Sequence, residues 1–206
     1  MGLAVSGYTA RNNISFEVDV FFGMNERTCL KPLLERRSIR RFRDEGVPLS
    51  KLVEAVEAAR HAPSAYNRQP WSFIIIRDRG KIGELASAAP GGVPLRRAPA
   101  ALAVVVDTRV APHTHVIDGA VAATYLWLAL TCMGLGAVWV EVYGNRRVEE
   151  ALGLPGHVRA VALFAVGWPA ESPPPRPRRP LEELVYLDEY GRLLFTGGSG
   201  NSGEER

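Results

Sequence analysis

Arginines gather at two places in this chain of 206 residues: Arg36-Arg37-Ser38-Ile39-Arg40 near its start and Arg176-Pro177-Arg178-Arg179-Pro180 near its end. Guanidinium forks grip phosphate oxygens bidentately, so two separated clusters suit a ligand that carries a fixed anion. Between them lies Ala62-Pro63-Ser64-Ala65-Tyr66-Asn67-Arg68-Gln69-Pro70-Trp71. This run offers a turn whose side-chain amides and hydroxyls suit a polar ring system. Each segment also has a plainer reading. An arginine run at a helix end complements the helix dipole. A polar turn closed by a tryptophan is an ordinary joint between helix and strand. The last cluster, with prolines at 174, 177 and 180, also fits a proline-rich linker or a peptide ligand for a partner domain.

Other chemistry finds less support. His113, His115 and Asp118 have a tempting metal-like spacing, but a ligand set needs a further convergent group, and neither His61 nor His157 is placed by sequence. A loop entering a helix, with Asp118 in the first turn favouring the dipole, explains them without metal. The serines lack a Gly-x-Ser-x-Gly setting, and neither cysteine has an evident histidine partner. Gly134-Leu135-Gly136 follows a helix rather than a strand, unlike a dinucleotide fingerprint, and there is no Gly-Lys-Ser/Thr phosphate loop. Cys29 and Cys132 are isolated; Cys132 is expected to pack in the core, and a reduced, cytoplasmic protein is the simplest account.

The elements that must position these residues form a mixed pattern. Helices are expected over 26–36, 51–61 (with Ser50 as N-cap), 80–88, 116–134 and 146–152, and strands over 71–77, 101–107, 137–142 and 160–167. A last isolated strand is expected over 184–187. The continuous valine run near 104–106 predicts a strand buried on both faces. Residues 119–140 carry no formal charge over a length that spans a bilayer. Gly134 and Gly136 break that run, so a central helix followed by a buried strand explains it better. The chain is 47% hydrophobic, which fits one domain with a sizeable core. Its net charge of +3 is concentrated in the two clusters rather than along a stripe, which argues against a nucleic-acid partner.

Taken together, the Arg36–Arg40 segment, the Pro63–Trp71 run and the ending Gly167-Trp168-Pro169-Ala170-Glu171 with its downstream arginines resemble the nitroreductase family of FMN flavoproteins. The resemblance covers about residues 26–187. It implies an α+β fold with a central, mostly antiparallel sheet flanked by helices, a long buried central helix, and a homodimer with FMN at the subunit interface. It assigns Arg36 and Ser38 to the ribityl phosphate end of FMN, with Arg37 contributing backbone, and Arg40 to the flavin N1/O2 edge. Pro63, Ser64 and Asn67 would lie over the ring bound by the other subunit. The strand end at Glu141 and Val142 would present a backbone N–H to flavin N5, although Val142-Tyr143-Gly144 departs from the glycine common there. Arg176 and Arg178 would clamp the phosphate. NADH or NADPH would reduce the flavin in a ping-pong cycle, and a nitroaromatic, quinone or similar small molecule would accept the electrons. No side chain need act as acid or base, because the flavin carries the chemistry. A dehalogenase-like or flavin-fragmenting member, or a flavin binder without turnover, are the alternatives. The implied organisation is a domain over 26–190, an extension over 1–25 with Met24 as another possible start, and a flexible tail over 191–206.

Overall fold

The computed structural model describes residues 24–195, with side chains from Leu30 onward. In chain order they form helix α1 (Met24–Glu35), α2 (Leu49–Ala59), strand β1 (Trp71–Ile76), α3 (Arg79–Ala88), β2 (Ala100–Asp107), α4 (His115–Cys132), β3 (Gly136–Glu141), α5 (Arg146–Ala151) and β4 (Val158–Gly167). The strands make one sheet in the order β1-β2-β4-β3, and every neighbouring pair is antiparallel. Because β4 lies between β2 and β3, α4 carries the chain across it. The described residues divide into two units, 29–175 and 176–195 with 24–28.

In the first unit, side-chain alternation sends neighbours on a strand to opposite faces. Leu102, Val104 and Val106 of β2 pack with α2 and α4, whereas Ala101, Ala103 and Val105 pack with α3 and α5. This two-sided burial is why β2 reads as an unbroken apolar run. Its register with β4 shifts between Val104 and Val105, and Val161 is the extra residue of that bulge. The bulge bears on α4. A Cβ built on Gly119 would fall 2.7 Å from Val106 Cγ1 and 2.9 Å from Val161 Cγ2, so only glycine lets the first turn of α4 close on the sheet here.

Two more glycines admit a segment from outside the sheet. Gly136 and Gly167 pair directly across β3 and β4. A Cβ on Gly136 would meet Ile39 Cγ2 at 2.7 Å, and one on Gly167 would meet Pro99 Cδ at 2.6 Å and Phe42 Cδ1 at 2.9 Å. Residues 38–43 therefore lie close against this end of the sheet.

Several expectations need correction. Ser50 is inside α2; the helix starts after Pro48, whose carbonyl accepts from Lys51 and Leu52 and whose side chain offers no cap. Cys132 is exposed, because it ends α4 away from the buried Ala129 and Leu130. Helix α4 is buried along one face only, and Ile117 and Tyr125 on the other face are exposed in the single chain. By length and composition it is the one described helix that could cross a membrane, yet Gly119, Ala122, Leu126 and Leu130 seat it on the sheet.

In the second unit, the residues from Arg176 run to a 3-10 turn at Leu181–Glu183. A small hairpin follows in place of the isolated strand, pairing Tyr186 with Leu193 and stacking Tyr186 on Tyr190 at 4.6 Å. Too few residues pair there to make a ladder. Arg192, Leu193 and Leu194, expected within the flexible tail over 191–206, take part in this hairpin, while residues 196–206 and most of the N-terminal extension lie outside the described residues.

Candidate functional site

The first arginine cluster begins where α1 stops. Arg37 turns back and donates from Nη1 to the carbonyls of Leu34 and Arg36, both at 3.0 Å, so this one member closes the helix end. The chain then becomes extended. Ser38 pairs in parallel with Ala137 of β3, and Ile39 N–H donates to the Ala137 carbonyl at 3.0 Å. Extended backbone sends Ser38 and Arg40 to one side and Ile39 to the other, where Ile39 is buried. The guanidinium of Arg36 lies over the Trp127 ring, 3.9 Å from its centroid, a cation–π contact that holds its plane.

Arg40 is fixed through its backbone. Its N–H donates to Glu171 Oε1 at 2.6 Å, and the N–H of Arg41 reaches the same oxygen at 3.1 Å. Farther on, Arg43 N–H donates to the Trp168 carbonyl at 2.9 Å, and Ala170 N–H to the Arg41 carbonyl at 3.0 Å. The segment is thus laced between β3 and residues 168–171. Glu171 stood in the quoted Gly-Trp-Pro-Ala-Glu run but had no assigned role. A carboxylate that caps two backbone donors 130 residues away leaves no local signal.

Among the described residues, the Pro63–Trp71 run holds three of the four non-glycine residues at positive φ. Tyr66, Asn67 and Gln69 sit at φ of 53°, 55° and 46°. Such left-handed non-glycine residues cost about 1–3 kcal/mol each and persist only where the surroundings over-determine them. The determinants are visible. Ser64 accepts twice, its Oγ from Gln69 N–H and its carbonyl from Asn67 N–H, both at 3.0 Å. Gln69 Nε2 donates to Asn67 Oδ1 at 3.1 Å and to the Asn67 carbonyl at 3.3 Å, so Gln69 braces the turn. Pinning Asn67 Oδ1 in this way leaves the amide nitrogen of Asn67 to face outward as a donor. Tyr66, 91% exposed, forms the tip, with the Arg68 guanidinium 5.2 Å from its ring centre. Trp71, buried, anchors the far end in the core, as its sequence position suggested.

One bond ties this turn to α4: Ala65 N–H donates to Asp118 Oδ1 at 3.0 Å, while the Thr114 hydroxyl donates to Asp118 Oδ2 at 2.8 Å. Asp118 is 4% exposed. It does lie in the first turn of its helix, but it also holds the loop, and His113 and His115 join it in no cluster: among the described residues no group of acids, histidines and cysteines could hold a metal. Trp127, which supports Arg36, stands nine residues further along α4, about 13 Å at the helical rise. The two candidate segments therefore attach near opposite ends of one helix.

Glu141 closes β3 at the same end of the sheet as the loop, since the Pro70 carbonyl accepts from Asp107 N–H at the end of β2. Glu141 Oε1 accepts from Tyr143 N–H at 3.0 Å; Val142 is buried and Tyr143 is half exposed. Arg176 and Arg178 belong to the second unit, exposed on chain without regular secondary structure; there Arg179 pairs with Glu183 at 3.2 Å, while no described ion pair engages Arg176 or Arg178. A concavity of about 330 Å³ lined by Arg146, Glu149, Pro155 and Arg159, among others, includes none of the candidate residues.

An antiparallel sheet covered by helices on both faces, with a braced polar loop at one end and an arginine-bearing segment laced along an edge strand, defines an α+β protein. Comparison with known proteins gives the class its name. The family model "Nitroreductase family" matches residues 33–105 and 92–168. An NADH dehydrogenase of Thermus thermophilus is 35% identical over 188 residues, covering 74% of this chain and 92% of its own. A solved protein of Parabacteroides distasonis, assigned as an NADH dehydrogenase/NAD(P)H nitroreductase, superposes with a TM-score of 0.76 at 30% identity, covering 79% of this chain and 99% of its own. A protein of Desulfovibrio desulfuricans assigned as a nitroreductase and solved in complex with FMN gives a TM-score of 0.70 at 31% identity, covering 78% of this chain and 96% of its own. The chain belongs to the nitroreductase family.

Proposed function

We propose that this protein is an FMN-dependent NAD(P)H oxidoreductase that works as a homodimer, with its functional domain over residues 26–190, an extension over 1–25 and a tail over 191–206. The observation that carries the reading is the Pro63–Trp71 loop, held in a strained, outward-facing shape. Strain of this kind collects where a ligand is to be met. FMN is the ligand that fits the donor set, and a solved relative at 31% identity contains it. Arg36, Ser38 and Arg40 offer donors along one short segment, and Arg176 and Arg178 would add two guanidiniums for the phosphate. Pro63, Ser64 and Asn67 face the ring with an apolar edge, a hydroxyl and an amide donor. The strand end at Glu141 and Val142 would offer backbone to the reacting edge.

When bound, FMN supplies a two-electron relay from NADH or NADPH to an electrophilic acceptor such as a nitroaromatic or quinone, in two half-reactions through one pocket. The chain's own residues bind, orient and polarise. Arg40 places a fixed positive charge where the reduced ring gathers negative charge, and this favours the reduced state. The hydroxyl of Ser64 is engaged by Gln69 and the carboxylate of Glu141 by Tyr143, so neither has to move a proton.

A dimer accounts for the separation of the two candidate segments along α4. If each ring lies between the Arg36–Arg40 segment of one chain and the loop of the other, both segments serve without meeting in a single chain. Exposed apolar residues support that surface: Leu33 and Leu34 of α1 are 54% and 63% exposed, and Ile117 of α4 is 66% exposed. Symmetric dimers bury such patches against their own copies.

The test is direct. The purified protein should be yellow, bleach on anaerobic addition of NADH or NADPH, and recolour with a quinone or nitroaromatic. A yellow protein inert to both nicotinamides would be a flavin binder without turnover, and a protein that does not take up FMN would refute the reading.

A further inference from the structure

We propose that Asp118 is a positioning residue for the flavin-facing loop, an inference that rests on the FMN reading above. Its carboxylate is buried, and no described ion pair involves it. Such a group is costly to bury unless its lone pairs are used. Both oxygens are used: Oδ1 takes the backbone N–H of Ala65, and Oδ2 takes the hydroxyl of Thr114. The first turn of α4 adds a favourable dipole.

What the carboxylate accomplishes is specific to the loop. Pro70 and Trp71 fix only the far end of the run, and the remaining restraints on residues 64–69, from Ser64, Asn67 and Gln69, are internal to the turn. Internal bonds hold a shape but do not place it on the molecule. Asp118 does, because Ala65 lies between Ser64 and the left-handed residues Tyr66 and Asn67. The support is stiff: Gly119, next in sequence, lets this turn of α4 close on Val106 and Val161 of the sheet. A loop fixed in its bound shape by a rigid element does not have to order itself when the ligand arrives. Without the carboxylate the turn keeps its internal bonds but loses its tie to α4, so Ser64 and Asn67 lose their fixed place on the molecule.

The experiment titrates FMN-free protein with FMN, followed by flavin fluorescence and visible absorption, for wild type, Asp118→Ala and Asp118→Asn. Asp118→Ala should lose about ten- to a hundred-fold in affinity, the range of a hydrogen bond to a charged group. The absorption bands of its bound flavin should move towards those of free FMN. Asp118→Asn keeps a carbonyl oxygen for Ala65 N–H and should recover to within about threefold of wild type. A merely structural residue would lower stability without changing the bound spectrum. The proposal is overturned if Asp118→Ala binds FMN as tightly as wild type with the same spectrum, or if Asp118→Asn is as impaired as Asp118→Ala. Should Asp118→Ala not fold, Thr114→Val takes its place; the proposal then requires weaker FMN binding from Thr114→Val and is overturned by wild-type affinity. Wild-type protein that takes up no FMN would refute the cofactor reading instead. Trypsin cleavage after Arg68 in FMN-free chains separates the two failures: faster cut in Asp118→Ala supports the tie, and an equal rate overturns it.

Discussion

Replacing Gly136 with alanine tests whether close packing against the sheet positions the first arginine cluster. The added Cβ would lie 2.7 Å from Ile39 Cγ2, 2.8 Å from Ile39 Cβ and 3.0 Å from Cγ1. Carbon atoms rest about 3.5–4.0 Å apart, so Ile39 must retreat by about 1 Å. A rotamer change cannot achieve this, because the Ile39 Cβ is itself too close and moves only with its backbone. The retreat would strain the Ile39 N–H bond to Ala137 and shift Ser38 and Arg40 on either side of it. Overpacking of this kind costs about 1–3 kcal/mol. Relief of glycine's backbone entropy in a strand returns about 0.5–1 kcal/mol. A net loss of up to about 2.5 kcal/mol, centred a little above 1, follows from these two effects. In a chain of this length it lowers Tm by about 2–4 °C per kcal/mol. Gly46→Ala is the control, since a Cβ there meets nothing within 4 Å. Thermal melts of both variants, at one protein concentration because a dimer's Tm depends on it, should separate them clearly, and Gly136→Ala should also hold FMN more weakly. Equal melting of the two variants, with wild-type FMN affinity, would refute the reasoning.

Two further outcomes are expected. Arg178→Ala should weaken FMN binding by about ten- to a hundred-fold, as expected for one charge-assisted phosphate contact; unchanged affinity in a fluorescence titration would remove Arg178 from the phosphate site. At the end of β2, the Arg109 guanidinium and its backbone N–H hold the Asp107 carboxyl well below the usual carboxylate range, with His157 adding slightly. Because that value is depressed on folding, the stabilisation is complete above the unfolded value of about 3.9 and is lost as pH falls through the folded value. Arg109→Ala should therefore lower stability by a constant amount between pH 6 and 8, where the contribution is complete, and bring acid unfolding, followed by circular dichroism, to a higher pH.

The sequence by itself determined the strands, the helices and the three segments that mark the family. Period and length place β2 and α4, because burial on two faces or one writes itself into consecutive side chains. The Pro63–Trp71 run shows its turn through residue types that bond their own backbone, and Gln69 braces it. Tertiary structure alone decided how these parts are held. Gly136 reads as the close of a helix but serves as the gap that admits Ile39. Asp118 reads as a helix-dipole residue but also grips Ala65, 53 positions away. Glu171 fixes Arg40 and Arg41 across 130 residues. Cys132 looks like core and ends up exposed, since the face it occupies depends on where α4 meets the sheet. Local pattern records which face is apolar. It does not record which distant backbone donor a buried carboxylate will meet, because that depends on packing distances set by the whole sheet.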